Sequence, residues 1–178
     1  MHRSHGRRGH GIPAGVGDAA LTMITLPSRG PIGELDVSEW IGTPPAESLA
    51  DLRGRVVAIE AFQMLCPGCV KHGLPQAQRL HSTFSRDDLV VIGLHTVFEH
   101  HDVMGPEALR VFLSEFRITF PVAVDQPLSF TPATMSRLAL QGTPTLLLVD
   151  KAGDIRFHAF GQVDDLQVGA ALGILLAG

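Results

Sequence analysis

Two stretches of the chain are apolar without alternation, a pattern typical of strands that are covered on both faces. They span residues 55–62 and 89–94 and are rich in β-branched side chains. A helical spacing of apolar residues follows each of them, over residues 67–84 and 106–117. This order of strand, helix, strand and helix predicts two parallel strands joined by a right-handed crossover.

Shorter elements complete the predicted architecture. We expect an edge strand over residues 35–42, strands over 120–124, 145–149 and 154–160, a brief helix over 131–138 and a last helix over 163–177. A turn joins the last two strands, which therefore run antiparallel. The fold class is α/β, with a central mixed sheet flanked by helices. A kink is expected in the first helix at Gly73 and Pro75.

The first 30 residues differ from the rest of the chain. They are basic, rich in Gly, His and Arg, and without apolar periodicity, so we expect a disordered N-terminal extension over residues 1–30 and one domain over 31–178. The apolar stretch that a secretory signal needs is interrupted by Pro13 and Asp18, which favours a cytoplasmic protein. Met23 is an alternative natural start.

Charge and hydropathy bear on whether the protein binds nucleic acid or spans a membrane. From Pro31 onward, 10 Lys and Arg residues stand against 17 Asp and Glu residues, a balance that argues against nucleic-acid binding. No stretch approaches the roughly 20 apolar residues of a membrane span. The two cysteines lie three positions apart, too close for a disulfide framework, and this spacing points to a local redox or metal role.

The cysteines form the motif Cys66-Pro67-Gly68-Cys69, between the end of a buried strand and the start of a helix. Unpaired backbone N–H groups and the helix dipole favour a thiolate at that point. Cys66 is therefore expected to be the exposed, attacking thiol, and Cys69, one turn further on, the buried resolving thiol. The alternatives are two core cysteines or half of a zinc site.

With this motif the chain resembles the thioredoxin superfamily, and within it the bacterial redoxin group that includes TlpA-like thiol-disulfide oxidoreductases. The resemblance covers residues 35–178 and has two further anchors. Residues 142–148, Gly-Thr-Pro-Thr-Leu-Leu-Leu, look like the cis-proline loop and its following strand. The Gly153-Asp154 hairpin, with Gly161 ahead of the last helix, is similar to the closing part of the fold.

The resemblance implies a thioredoxin-like fold and exchange of electrons between thiols and disulfides without a cofactor. In the family, the proline loop packs against the disulfide and offers backbone groups to an extended substrate. Here Thr143 would pair with the substrate and Pro144 would hold the shape, with Pro67 and Gly68 beside them. An ordinary trans proline that begins a strand is the alternative. The implied partners are a protein or small-molecule disulfide or thiol and an electron donor, while the oligomeric state stays undefined.

Glu60 stands out because an acid inside a buried apolar strand is costly unless something requires it. It lies six residues before Cys66, where thioredoxin-like proteins place a buried acid that helps to deprotonate the resolving thiol. The resemblance therefore implies that Glu60 accepts the proton of Cys69, through water because its side chain is long. The alternative is a carboxylate at the strand end that reaches solvent or an arginine.

Histidines follow the second buried strand, at the edge of the sheet that carries the cysteines. His95, His100 and His101 are predicted in one loop before the second helix. Three interpretations are open: a solvated polar loop, a substrate contact near neutral pH, or a metal site completed by the cysteines. No ligand spacing is diagnostic, so no metal is assigned. His95 sharing a proton with Glu60 and His72 joining the site are weaker alternatives.

The chain also departs from the family pattern. Leu65 replaces the usual aromatic residue before the first cysteine, and Pro75 lies one position later than the common helix proline. A peroxiredoxin would have Thr three residues before its reactive cysteine, where this chain has Gln63. A thiol peroxidase, and a non-catalytic redoxin that binds a metal or partner, are therefore the alternatives to a thiol-disulfide oxidoreductase.

Overall fold

Six strands form one mixed sheet in the computed structural model, which describes residues 26–178. The strands are β1 (Val37–Ile41), β2 (Val56–Phe62), β3 (Leu89–His95), β4 (Val122–Asp125), β5 (Thr145–Val149) and β6 (Ile155–Phe160), in the spatial order β1-β4-β3-β2-β5-β6. Strands β2, β3 and β4 are parallel, whereas β1, β5 and β6 each pair antiparallel with a neighbour. The predicted mixed α/β sheet is confirmed.

Helices cover both faces of this sheet. α1 (Leu74–Thr83), α2 (Pro106–Glu115) and α4 (Asp165–Ala177) contribute to the apolar core on one face, and α3 (Ala133–Arg137) to the core on the other. The predicted elements are all present, with boundaries shifted by a few residues. The start of α3 depends on Asp125 at the end of β4, whose carboxylate accepts hydrogen bonds from the backbone of Thr134 at 2.8 Å and of Met135 at 3.0 Å.

The irregularity that was predicted at Gly73 and Pro75 takes the form of a π-helical turn. Residues Cys69–Gly73 form this turn, and the N–H of Leu74 donates to the carbonyl of Cys69 across five residues. Pro75 has no N–H to give to the carbonyl four residues back, so the regular pattern is interrupted here. The wider turn lies directly behind the cysteine motif.

The N-terminal side of the described chain pairs with β6. Arg29 donates its backbone N–H to Ile155 at 2.8 Å, and Ile155 donates to Gly30 at 2.9 Å. Backbone pairing with the sheet thus begins at Arg29, two residues before Pro31, the predicted start of the domain. The remainder of the predicted disordered extension, residues 1–25, lies outside the described residues. Within residues 26–178, no helix is long and apolar enough to cross a membrane.

Candidate active site

Cys66 and Cys69 lie where β2 ends and the helical segment begins. Cys66 is half-buried and Cys69 is fully buried, and both are free thiols. The backbone N–H of Cys69 donates to the Cys66 sulfur at 3.2 Å, as expected for a sulfur at a helix N-terminus. The Cys66 thiol in turn donates to the carbonyl of Thr143 at 3.4 Å. The one accessible sulfur is therefore held between a helix end and the proline loop.

Burial controls the chemistry of the second thiol. The pKa of Cys69 is raised far above its ordinary value, first by loss of solvent and then by its hydrogen bond with Cys66. A thiol in this position stays protonated at neutral pH. If Cys69 is to act as a nucleophile, a base must take its proton at the moment of reaction.

The proline loop packs directly against the cysteine motif. The Thr143–Pro144 peptide is cis, which decides between the two conformations that the sequence allowed. A Cβ atom on Gly68 would lie 3.1 Å from Cδ of Pro144, so the proline ring packs closely against a position that favours glycine. Gly161 donates its N–H to the Pro144 carbonyl at 2.8 Å and ties the loop to the end of β6.

Glu60 lies in the middle of β2 and is only 2% exposed. Its backbone is in register with Gly93 of β3 and Leu146 of β5, so its side chain leaves the sheet on the face that carries α1. Its Oε1 atom has no hydrogen-bond partner among residues 26–178. Burial raises the pKa of this carboxyl to about 8.

Gly73 connects Glu60 with the cysteine motif. A Cβ atom at this position would lie 2.0 Å from Oε1 of Glu60 and 3.0 Å from Cβ of Pro144. Gly73 follows Cys69 by four residues, and residues at this spacing share one face of a helical segment. The structure thus brings Cys69, Glu60 and Pro144 around one turn, an arrangement whose glycine the sequence did not single out as a site residue.

His95 is not in the predicted loop. It is the last residue of β3, opposite Phe62, and only 1% of it is exposed. Its ring lies 5.2 Å from that of Phe62, and both ring nitrogens lack a partner within the described chain. Burial lowers its pKa to about 4. Glu60 and His95 form no direct hydrogen bond with each other within the described chain.

The other three histidines that were considered for the site, His72, His100 and His101, are solvent-exposed, and a buried glutamine contacts the loop that follows β3. His100 and His101 lie on the surface after β3, and His72 is exposed on the π-helical turn. Gln63 accepts a hydrogen bond from the N–H of Phe98 at 3.3 Å and donates to Glu99 at 3.5 Å. This contact joins the loop to the segment before Cys66 and was not foreseen. No group of three metal-ligating side chains occurs between residues 26 and 178.

A thioredoxin-like sheet with two adjacent thiols beside a cis-proline loop defines a dithiol redox protein. The crystal structure of a thiol-disulfide isomerase from Corynebacterium glutamicum is similar to this chain, with a TM-score of 0.81 and 55% identity over 84% of this chain and 98% of that one. The crystal structure of a thioredoxin-like superfamily protein matches with a TM-score of 0.81 and 52% identity, over 84% and 97% of the two chains. The chain belongs to the thioredoxin superfamily, in the bacterial redoxin group that includes TlpA-like proteins.

The other comparisons are more limited. NHL repeat-containing protein 2 of Bos taurus is 30% identical over 127 residues, which cover 70% of this chain and 16% of that protein. The chain therefore spans about a sixth of the length of this curated relative. No protein-family model matches the chain.

Proposed function

We propose that the chain is a thiol-disulfide oxidoreductase and that Cys66 and Cys69 are its redox centre, with Cys66 as the attacking thiol and Cys69 as the resolving thiol. The observation that carries this assignment is the difference in burial between two sulfurs on one helical turn. A substrate can reach Cys66, whereas Cys69 is fully buried. The N–H of Cys69 supports negative charge on the Cys66 sulfur, which suits a thiolate nucleophile.

In the direction of substrate reduction, the Cys66 thiolate attacks one sulfur of the substrate disulfide and releases the other as a thiolate. A mixed disulfide between Cys66 and the substrate forms. Cys69 then gives its proton to a base, and its thiolate attacks the Cys66 sulfur. The Cys66–Cys69 disulfide forms, the bond to the substrate breaks, and the substrate leaves with two thiols after protonation by water. An external dithiol restores the enzyme by the reverse exchange.

Glu60 is the base in this proposal. Its carboxyl lies under the turn that begins with Cys69, and its pKa of about 8 leaves a minor carboxylate fraction at neutral pH. General bases are most effective when their pKa lies near the working pH. A water molecule is the expected carrier between the Cys69 thiol and the carboxylate.

Substrate presentation is assigned to the surface around Cys66. The carbonyl of Thr143 already accepts from the Cys66 thiol, so an extended substrate chain pairing with Thr143 would bring its disulfide to the reactive sulfur. Pro144 shapes this loop, and Pro67 and Gly68 form the facing wall. The partners in this proposal are a protein or small-molecule disulfide and an electron donor.

Two experiments test this proposal. One traps the mixed disulfide between the protein and an oxidised substrate, and the other measures the reduction of insulin with dithiothreitol as the electron donor. We expect Cys69→Ser to accumulate a mixed disulfide with an oxidised substrate, and Cys66→Ser to form none and to lose insulin reduction by dithiothreitol. Accumulation in Cys66→Ser instead would reverse the roles. If alkylation showed that the two thiols never form a disulfide with each other, the redox centre itself would be wrong.

The reduction potential of the pair then gives the direction of electron flow. A value near roughly −270 mV is that of a reductant such as thioredoxin, and one near roughly −120 mV is that of a strong oxidant. Equilibration of the full chain against glutathione or dithiothreitol buffers measures it.

A further inference from the structure

The carboxyl of Glu60 lines a cleft beside the π-helical turn. The cleft has a volume of about 170 Å³ and lies between the π-helical turn, α1 and residues 161–165 ahead of α4. A site needs only about 10–15 Å³ of such volume for each water molecule, so this cleft is large enough for several. Buried polar atoms are almost always satisfied by protein or water, and Oε1 of Glu60 has no partner within residues 26–178.

Gly73 lines this cleft and also belongs to the π-helical turn that begins with Cys69. Because glycine has no side chain, the carboxyl of Glu60 occupies the space that a Cβ atom would take. The same carboxyl therefore meets the turn of Cys69 on one side and the cleft on the other. A proton that Glu60 accepts from the Cys69 thiol can therefore leave through a cleft with polar walls.

Gln76 fixes the width of the cleft. This residue of α1 is buried, and its Nε2 atom donates to the carbonyl of Val163 at 3.0 Å and to Asp165 at 2.8 Å. Both acceptors belong to the opposite wall. The amide group therefore holds the segment ahead of α4 against the catalytic helix.

Besides Glu60, five charged or titratable side chains line the cleft: Lys71, His72, Arg79, Asp164 and Asp165. On the neighbouring strands Glu60 is in register with Gly93 and Leu146, which do not titrate. None of the five cleft side chains donates a hydrogen bond to Oε1 of Glu60 in the described part of the chain. The cleft is large enough to hold water between this carboxyl and solvent.

We propose that water in this cleft carries the proton of Glu60 to and from solvent, and that Gln76 is a positioning residue that keeps the route narrow. The inference rests on the proposed role of Glu60 as the base for Cys69. Each resolving step leaves a neutral carboxyl on Glu60 and a thiolate that is consumed in the new disulfide. The carboxyl returns to its starting state by passing one proton through the cleft to bulk water.

The test compares two variants that change the cleft in opposite directions. Gln76→Ala removes both hydrogen bonds across the cleft, and Leu146→Phe adds volume beside Glu60. In full-length protein transferred to D₂O, we expect the carboxyl proton of Glu60, followed by its infrared band, to exchange at least about tenfold faster in Gln76→Ala and slower in Leu146→Phe. Gln78→Ala is the matched control, because Gln78 also joins α1 to another segment, through Thr119, but does not line the cleft.

Equal exchange rates in Gln76→Ala, Gln78→Ala and the parent protein would overturn the route, whether or not Leu146→Phe folds. The stopped-flow rate of mixed-disulfide resolution, measured against pH, separates this outcome from failure of the proposed function. If the exchange rate responds to Gln76→Ala but Glu60→Gln leaves the resolving step unchanged, the route stands and the base is wrong. If Glu60→Gln slows that step while cleft variants do not alter exchange, the base stands and the route is wrong.

Discussion

Glu60 and His95 occupy neighbouring central strands, and each is buried with unpartnered polar atoms in the described chain. Their surroundings differ in one respect. Glu60 borders a polar cleft beside the π-helical turn, whereas His95 packs against the ring of Phe62. A buried ionisable group that reaches a polar cleft can exchange protons during turnover. One that is enclosed by apolar contacts affects mainly the stability of the fold.

The two residues also have opposite effects on stability as pH changes. The pKa of Glu60 is raised from 4.5 to about 8, so the unfolded chain loses this proton first and stability falls as pH rises through that window. The pKa of His95 is lowered from 6.5 to about 4, so the unfolded chain binds this proton first and stability falls as pH decreases. Together they favour greatest stability in mildly acidic solution.

Replacing Glu60 by an uncharged residue is expected to have the largest effect on how the free energy of unfolding depends on pH. The difference between 4.5 and about 8 corresponds to an upper limit of about 5 kcal/mol in the free energy of unfolding. We expect Glu60→Gln to abolish the loss of stability that the parent protein shows between pH 5 and pH 8. Urea denaturation of both proteins across this range measures it. Parallel curves would mean that the carboxyl does not titrate in this window.

His95→Leu tests whether the imidazole of His95 is shielded from water in the native state. The lowering of its pKa from 6.5 to about 4 corresponds to about 3 kcal/mol. As pH falls from 6.5 to 4, we expect the stability of His95→Leu to rise relative to that of the parent protein by about this amount, because leucine takes up no proton on unfolding. His101→Leu, at an exposed position, is the control. A variant that follows the parent curve down to pH 4 would show that His95 is hydrated in the native state.

Gly73→Ala tests the contact between Glu60 and the π-helical turn. The added methyl group would lie 2.0 Å from Oε1, and such overpacking costs typically about 1–3 kcal/mol. In a Glu60→Ala background most of this penalty should disappear, which a double-mutant cycle by urea denaturation detects. Gly169→Ala on α4 is the control, because its added atom meets nothing within 4 Å. An equal penalty in both backgrounds would place the clash elsewhere.

Glu60 and His95 also differ in how well the sequence predicts their positions. Glu60 was recognised because one acid interrupts an apolar run, and the cysteine motif and proline loop because they are contiguous in sequence. His95 was misplaced because a histidine after an apolar strand has the local pattern of a loop, whereas pairing with Phe62 and Val124 extends β3 by one residue. Gly73 and Gln76 were not identified as site residues because their partners, Glu60, Val163 and Asp165, are brought together only by the folded chain.

The smallest expected effect is that of removing Arg79, which lines the cleft together with Asp165. This change tests whether an exposed ion pair alters the titration of Glu60. Arg79 pairs with Asp165 at 3.0 Å, but the two side chains are 58% and 65% exposed, so the pair contributes less than about 1 kcal/mol. Asp165 keeps its hydrogen bond from Gln76 when the arginine is removed. We therefore expect Arg79→Ala to retain the dependence of stability on pH between 5 and 8, as followed by urea denaturation. A curve that flattens as in Glu60→Gln would instead show that charge at the rim controls the titration of the buried carboxyl.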